Sequence, residues 1–247
     1  MSPNTSPKTL LLTGASRGIG HATVKSFQAA GWRVLSVSRT AFDDRCPWHA
    51  GATDHFQGDL SDAEARADLV ARVRETLGPE GLGAIVNNAG ISPKGENGAR
   101  MGIAGTDDAT WHHVMNVNLF GPAALMRDLM PELEMAKGCV VNVGSIVGSR
   151  VHPFAGAAYA CSKAALAALT REAAAEFGPR GIRTNMVTPG EIETEILSPG
   201  TEEITRTIPL RRLGQSEEVA RVVLFLCSGQ SSYVNGASID VNGGQHV

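Results

Sequence analysis

The stretch "TLLLTGASRGIG", residues 9–20, decides how this chain folds. It opens as a short continuous apolar run, the pattern of a strand covered on both faces. It then passes at once into Gly14, Gly18 and Gly20. Glycine suits this place for three reasons: the turn is tight, the backbone must come close to a phosphate, and the following helix must pack close to the strand. The helical pattern "HATVKSFQAAG" (21–31) follows. A helix starting here turns its free N–H groups and positive dipole end toward a pyrophosphate. The spacing G-x-x-x-G-x-G departs from the common G-x-G-x-x-G, so the position between strand and helix carries the argument.

The same alternation continues outward. Strands are predicted at "RVLSVS" (33–38), near "HFQGD" (55–59), and at "GAIVNNAG" (83–90), "GCVVNVGS" (138–145), "IRTNMVTPG" (182–190) and "GASIDVNGG" (236–244). Between them lie helical patterns: "DAEARADLVARVRETLG" (62–78), a long helix over 107–133 bent near Pro122 or Pro131, "AGAAYACSKAALAAL" (155–169), and "SEEVARVVLFLCSG" with Ser216 as N-cap. Residues 91–105 read as a polar loop and 191–214 as irregular. Strands alternating with helices predict an α/β fold: one Rossmann-like, doubly wound parallel sheet with helices on both faces. One domain over 1–247 is expected, with a polar leader at 1–8 and a substrate lid at 191–212.

Composition narrows the function. A net charge of −3, with 19% charged and 43% apolar residues, gives no reason to expect a nucleic acid or a membrane as partner. No apolar run is long enough to span a bilayer, and the N-terminus lacks a signal-peptide layout. Cys46, Cys139, Cys161 and Cys227 form no C-x-x-C pair and suit a reducing compartment. A cytoplasmic protein without a metal site is expected.

Tyr159 is one of only two tyrosines, yet it sits in an alanine-rich helix with Lys163 one turn later. Residues i and i+4 share a helix face. A tyrosine pKa of about 10 is too high for easy proton transfer at neutral pH, and a neighbouring ammonium lowers it. Ser145 lies just past a strand end, where doubly wound sheets form their ligand crevice. Its hydroxyl can hydrogen-bond a carbonyl oxygen.

"TGASRGIG", "NNAG" (87–90) and "YACSK" (159–163), in this order and at these distances, resemble the short-chain dehydrogenase/reductase family in its compact single-domain branch. "PLRRLGQSEEVA" and the C-terminal strand look most like 3-oxoacyl-acyl-carrier-protein reductases. The likeness implies hydride transfer between a nicotinamide dinucleotide and a carbonyl or secondary alcohol, 3-oxoacyl thioesters among the candidates. Tyr159 would be the proton donor or acceptor and Ser145 the carbonyl anchor. Lys163 would hold the nicotinamide ribose and tune Tyr159, and Asn118 would hold a water in a proton relay. Gly14, Ser16, Arg17, Gly18, Ile19 and Gly20 would form the pyrophosphate turn. Asp59 and Leu60 would meet the adenine. Asn87, Ala89 and Gly90 would line the groove, with Asn88 as groove or scaffold. Pro189, Gly190, Ile192 and Thr194 would wrap the nicotinamide. The family also implies a homo-oligomer, a tetramer or a dimer.

The end of the second strand selects between cofactors. A carboxylate there accepts from both ribose hydroxyls, whereas arginine pairs with a 2′-phosphate. The chain has Ser38 and Arg39 at that point, with Arg17 in the glycine turn. NADP(H) is therefore expected over NAD(H). Glu191 and Glu193 read as solvated lid charges, and Lys94 and Arg100 as solvated loop charges. A non-catalytic NADP(H) sensor is the competing reading, disfavoured by the intact Asn118, Ser145, Tyr159 and Lys163 set.

Overall fold

The computed structural model describes residues 8–41, 54–193 and 201–247, with side chains of the last segment from residue 203. Seven parallel strands form one sheet: β1 (Thr9–Thr13), β2 (Arg33–Ser38), β3 (His55–Gln57), β4 (Ala84–Asn87), β5 (Cys139–Val143), β6 (Arg183–Pro189) and β7 (Ser238–Val241). Their spatial order is β3-β2-β1-β4-β5-β6-β7. The order reverses between β1 and β4, and a doubly wound sheet opens its ligand crevice at that point.

Side chains alternate across the strands into two cores. Leu11, Ile85 and Val140 face one layer, packed with Leu69 and Val73 of α2 (Ala63–Thr76) and Phe177 of α6 (Ala157–Phe177). Leu10, Leu12, Val86 and Val141 face the other, with Phe27 of α1 (Gly18–Ala29) and Val223 of α8 (Ser216–Cys227). Leu10, Leu11 and Leu12 are fully buried. Each such burial is worth about 1.5–3 kcal/mol. Helices on both faces are what the continuous apolar strands required.

The long helix expected over 107–133 is divided. Helix α3 (Asp108–Met115) passes into a π-turn (Asn116–Phe120), then α4 (Gly121–Asp128) and α5 (Met130–Ala136). Pro122 and Pro131 each fall in the first turn of the next segment. Proline lacks an N–H and crowds the preceding turn, and here the Gly121 N–H reaches back five residues to the Asn116 carbonyl. Two other expectations need correction. The N-cap of α8 is Gln215, not Ser216: Gln215 and Glu218 make a reciprocal capping box. Residues 191–214 are not wholly irregular, since α7 (Thr201–Thr207) lies among them. The leader residues 1–7, Cys46 and Thr194 lie outside the described residues.

Candidate active site

The strands run parallel, so their C-terminal ends share one edge of the sheet. That edge brings together the turns after β1, β2, β3, β4, β5 and β6. Gly14 and Gly18 adopt φ of +73° and +54°, a region glycine occupies without strain. A Cβ on Gly20 would lie 2.0 Å from the Gly14 carbonyl oxygen. The glycines are therefore required by the packing of the turn itself. No side chain caps the N-terminus of α1, and its first turn carries no acid. Its N–H groups and dipole are available to an anion, and the turn fits a dinucleotide pyrophosphate.

Beside this turn a cleft of about 230 Å³ is lined by Gly14, Ser16, Arg17, Ser38, Arg39, Asp59, Leu60, Ala89 and Gly90, all of them among the expected cofactor contacts. Asp59 accepts from the Ser61 N–H and hydroxyl, both at 2.8 Å. The Ser61 N–H holds its carboxyl below the usual range, with Arg39 and His113 adding to the effect. Ser38 turns back on its own chain and donates to the Thr40 carbonyl at 2.8 Å.

The two asparagines of "NNAG" divide their work differently from expectation. Asn87 is buried in β4 and donates to Asn142 Oδ1 at 2.8 Å, so its side chain braces the sheet and does not line the groove. Asn88 reaches the cleft and also clamps the end of β1, donating to the carbonyls of Thr13 (3.1 Å) and Gly14 (2.8 Å). Strand alternation accounts for the difference: successive side chains leave the pleat on opposite faces.

A second cavity, about 470 Å³, lies beyond β4, β5 and β6. Ser145, Tyr159, Lys163, Ile19, Gly90, Pro189, Gly190 and Ile192 all line it. Ser145 caps the short 3₁₀ turn Ile146–Gly148, accepting from the Val147 N–H at 3.3 Å. That turn lies on the backbone of α6: a Cβ on Gly148 would stand 3.0 Å from the Ala164 nitrogen. Gly148 thus fixes Ser145 relative to Tyr159 and Lys163.

Lys163 is buried and donates to the Val143 carbonyl at 2.7 Å. Burial brings its pKa down to about 8. Its Nζ lies 5.7 Å from the Tyr159 ring centroid. The expected lowering of the Tyr159 pKa is not what this geometry gives. Burial pushes the phenol up, Ser145 pulls it down through a hydrogen bond, and Glu191 pushes it up again. Desolvation of a phenolate outweighs its one hydrogen bond.

Asn118 sits in the π-turn, fully buried. Its Oδ1 accepts from the Ile91 N–H (2.8 Å), and its amide donates to the Ile91 carbonyl and to Ser162 Oγ, each at 3.0 Å. Ser162 in turn donates to the Tyr159 carbonyl at 2.7 Å. The Asn118 side chain therefore ties the loop after β4 to α6.

Several residues read as bystanders prove to belong to this cavity. Glu191 lines it and pairs with buried His152 (Oε1 to Nε2, 2.8 Å). Lys94 lines it and donates to the Phe154 carbonyl. Arg100 is exposed, as expected, and donates to the Ala155 carbonyl at 2.9 Å. Gln245, near the C-terminus, accepts from the Glu191 N–H at 2.9 Å. Arg150 donates to the Gln245 carbonyl and so holds this brace in place. Glu193 is exposed as expected, and accepts from Gln215 at 2.6 Å. Nothing in the local sequence marks His152 or Gln245, because both act across the sheet edge. The "PGEIET" turn was the available signal for Glu191.

Comparison with known proteins bears on the family and the fold. Residues 14–246 match the family model described as enoyl-(acyl carrier protein) reductase. A crystal structure of an oxidoreductase of the short-chain dehydrogenase/reductase family from Brucella ovis, in complex with a partially ordered NAD, is 54% identical. It superposes with a TM-score of 0.85, covering 96% of this chain and 100% of that one. Protein FixR of Bradyrhizobium diazoefficiens is 54% identical, over 98% of this chain and 87% of its own length. The 3-oxoacyl-acyl-carrier-protein reductase FabG of Thermotoga maritima is 34% identical, over 96% of this chain and 97% of its own. The chain belongs to the short-chain dehydrogenase/reductase family. It is an oxidoreductase of the CH–OH/C=O class that uses a nicotinamide dinucleotide.

Proposed function

We propose that the chain interconverts a carbonyl and a secondary alcohol with NADP(H), as one catalytic domain working in a homo-oligomer. The observation that carries this reading is the convergence of Ser145, Tyr159 and Lys163 on one cavity, which shares Gly90 and Ile91 with the cleft lined by Arg17 and Arg39. A bound nicotinamide dinucleotide would supply or accept the hydride. Ser145 and Tyr159 hold the substrate oxygen between two hydroxyls. During reduction Tyr159 gives its phenolic proton to that oxygen, and in oxidation it takes the proton back. General acid–base catalysis of this kind contributes about 100- to 10,000-fold. Lys163, fixed by the Val143 carbonyl, faces Gly90 across the cofactor groove and suits a ribose contact. Asn118 and Ser162 hold the walls of the site in register.

Preference for NADP(H) rests on Arg39 and Arg17 beside Ser38, with no acid at the end of β2. The test is turnover with NADPH and NADH side by side, in the native protein and in Arg39→Asp. The expected outcome is preference for NADPH in the native protein, shifted toward NADH by at least about 10-fold in the variant, the loss of one charge-assisted contact. An unchanged ratio would remove Arg39 from the phosphate site. Homo-oligomer formation is supported by membership of the family, whose members are commonly oligomeric.

A further inference from the structure

The cavity that Tyr159 lines also carries charged and titratable side chains from three loops. His152 comes from the loop after β5, Glu191 from the turn after β6, and Lys94 from the loop after β4. His152 Nδ1 accepts from the Phe154 N–H at 3.3 Å. The neutral ring must then carry its proton on Nε2, which donates to Glu191 Oε1 at 2.8 Å. His152 is thus held from both sides and orients the Glu191 carboxylate. The turn bearing Glu191 is locked from behind, because the Gly190 Cα faces Gln245 and Asn242 so closely that a Cβ would lie 2.2 Å from Gln245 Oε1. Glu191, Lys94 and Tyr159 line this one cavity.

A long apolar acyl chain in this space would strip water from the open sides of a carboxylate and an ammonium, leaving each only its protein partner, His152 for Glu191 and the Phe154 carbonyl for Lys94. A polyhydroxylated substrate would not. A hydroxyl can donate to the Glu191 carboxylate, and a neighbouring hydroxyl can accept from the Lys94 ammonium, because each hydroxyl both donates and accepts. The titratable groups lining this space are Lys94, His152, Glu191, Tyr159 and Lys163. We propose that the His152–Glu191 pair, with Lys94 facing it, selects small polyols and the corresponding ketoses as the substrates of this site. In the reaction a CH–OH group loses hydride to the oxidised dinucleotide and its proton to Tyr159, giving the ketose; the reverse returns both. The inference rests on the oxidoreductase reading above.

The experiment is steady-state kinetics of the full-length protein with both NADP(H) and NAD(H). The substrates are ribitol, sorbitol, galactitol, fructose and tagatose, beside cyclohexanol, cyclohexanone and an acetoacetyl thioester. Native protein, Glu191→Gln and Lys94→Met are compared at a pH on the plateau of their profiles. The expected result is a preference for at least one polyol or ketose over every other compound. In Glu191→Gln its KM should rise about 10- to 100-fold, the worth of a hydrogen bond to a charged group, with a smaller change in kcat. Lys94→Met should raise KM in the same sense. Turnover of the thioester or cyclohexanone above all polyols and ketoses, or a polyol KM indifferent to both variants, would overturn the proposal and leave the oxidoreductase reading standing. No turnover of any compound with either dinucleotide would overturn both. Should Glu191→Gln unfold, Lys94→Met decides alone, because its side chain comes from a different loop.

Discussion

A buried ammonium and a half-buried phenol stand side by side in this site, and desolvation displaces each from its ordinary acidity. Burial lowers Lys163 to about 8 and raises Tyr159. Glu191 raises Tyr159 further, because a carboxylate disfavours a second negative charge nearby. The groups facing Tyr159 are Lys163 on its own helix, and Lys94, His152 and Glu191 from the three loops. Alcohol oxidation needs the deprotonated phenol, so its rate rises with pH through the Tyr159 titration. Removing the Glu191 charge removes one upward push, and the pKa falls. In Glu191→Gln the rising limb of kcat/KM for oxidation should move to lower pH, as pH–rate profiles of native and variant protein would show. A shift upward, or none, would mean that Glu191 does not act on the phenol. The Tyr159–Lys163 pair was legible in the sequence, because i and i+4 on a helix must share a face. The sign of the shift on Tyr159 was not legible, since it depends on how much water the assembled cavity excludes. Asn87 and Asn88 show the same limit: the motif located both, and only the pleat of β4 decided which one turns to the cleft.

At the scale of elements, α1 carries the end proposed to hold the pyrophosphate and packs against α8. The start of α8 is held by its capping box, with the Gln215 N–H donating to Glu218 at 2.8 Å, and by a two-pronged pair in which Arg212 reaches both Glu218 oxygens at 2.7 and 2.8 Å. The Arg212 guanidinium, with the Gln215 N–H, holds the Glu218 carboxyl down to about 2. The folded value lies below the unfolded one, so this contribution is present above about 4.5 and is lost as pH falls toward 2. Glu218→Ala should cost about 1 kcal/mol, mostly the cap, because the ion pair is largely exposed. That corresponds to a Tm about 2–4 °C lower at neutral pH, and thermal unfolding at several pH values should show the gap closing in acid. A gap that stays constant in acid would rule out the charged carboxylate as its source. The capping box escapes a reading that looks first for Ser or Thr, which is why Ser216 was the expected cap. The division of the 107–133 helix was half legible: the prolines marked both breaks, but the π-turn that buries Asn118 depends on packing against α6.

For the whole molecule, seven parallel strands explain why residues far apart in sequence form one site. Each strand was legible as a short apolar run because both its faces are covered. Parallel alignment then collects Gly14, Arg39, Asp59, Gly90, Ser145 and Gly190 at a single edge. The chain order of these residues showed that they belonged together. The pairing of His152 with Glu191, and the brace from Gln245, became visible only once β5, β6 and β7 lay side by side. The same geometry brings Tyr159 and Ser145 into one cavity, where the proposed reaction has the phenol exchange a proton with the substrate oxygen. The most direct test is therefore Tyr159→Phe, assayed for turnover on the best substrate and for dinucleotide binding by fluorescence titration. The expected result is dinucleotide affinity within a few-fold of native, with turnover reduced by at least about 100-fold. Near-native turnover in a folded, dinucleotide-binding variant would contradict the assignment of Tyr159 as the proton donor, and with it the reading of this cavity as the site of the reaction.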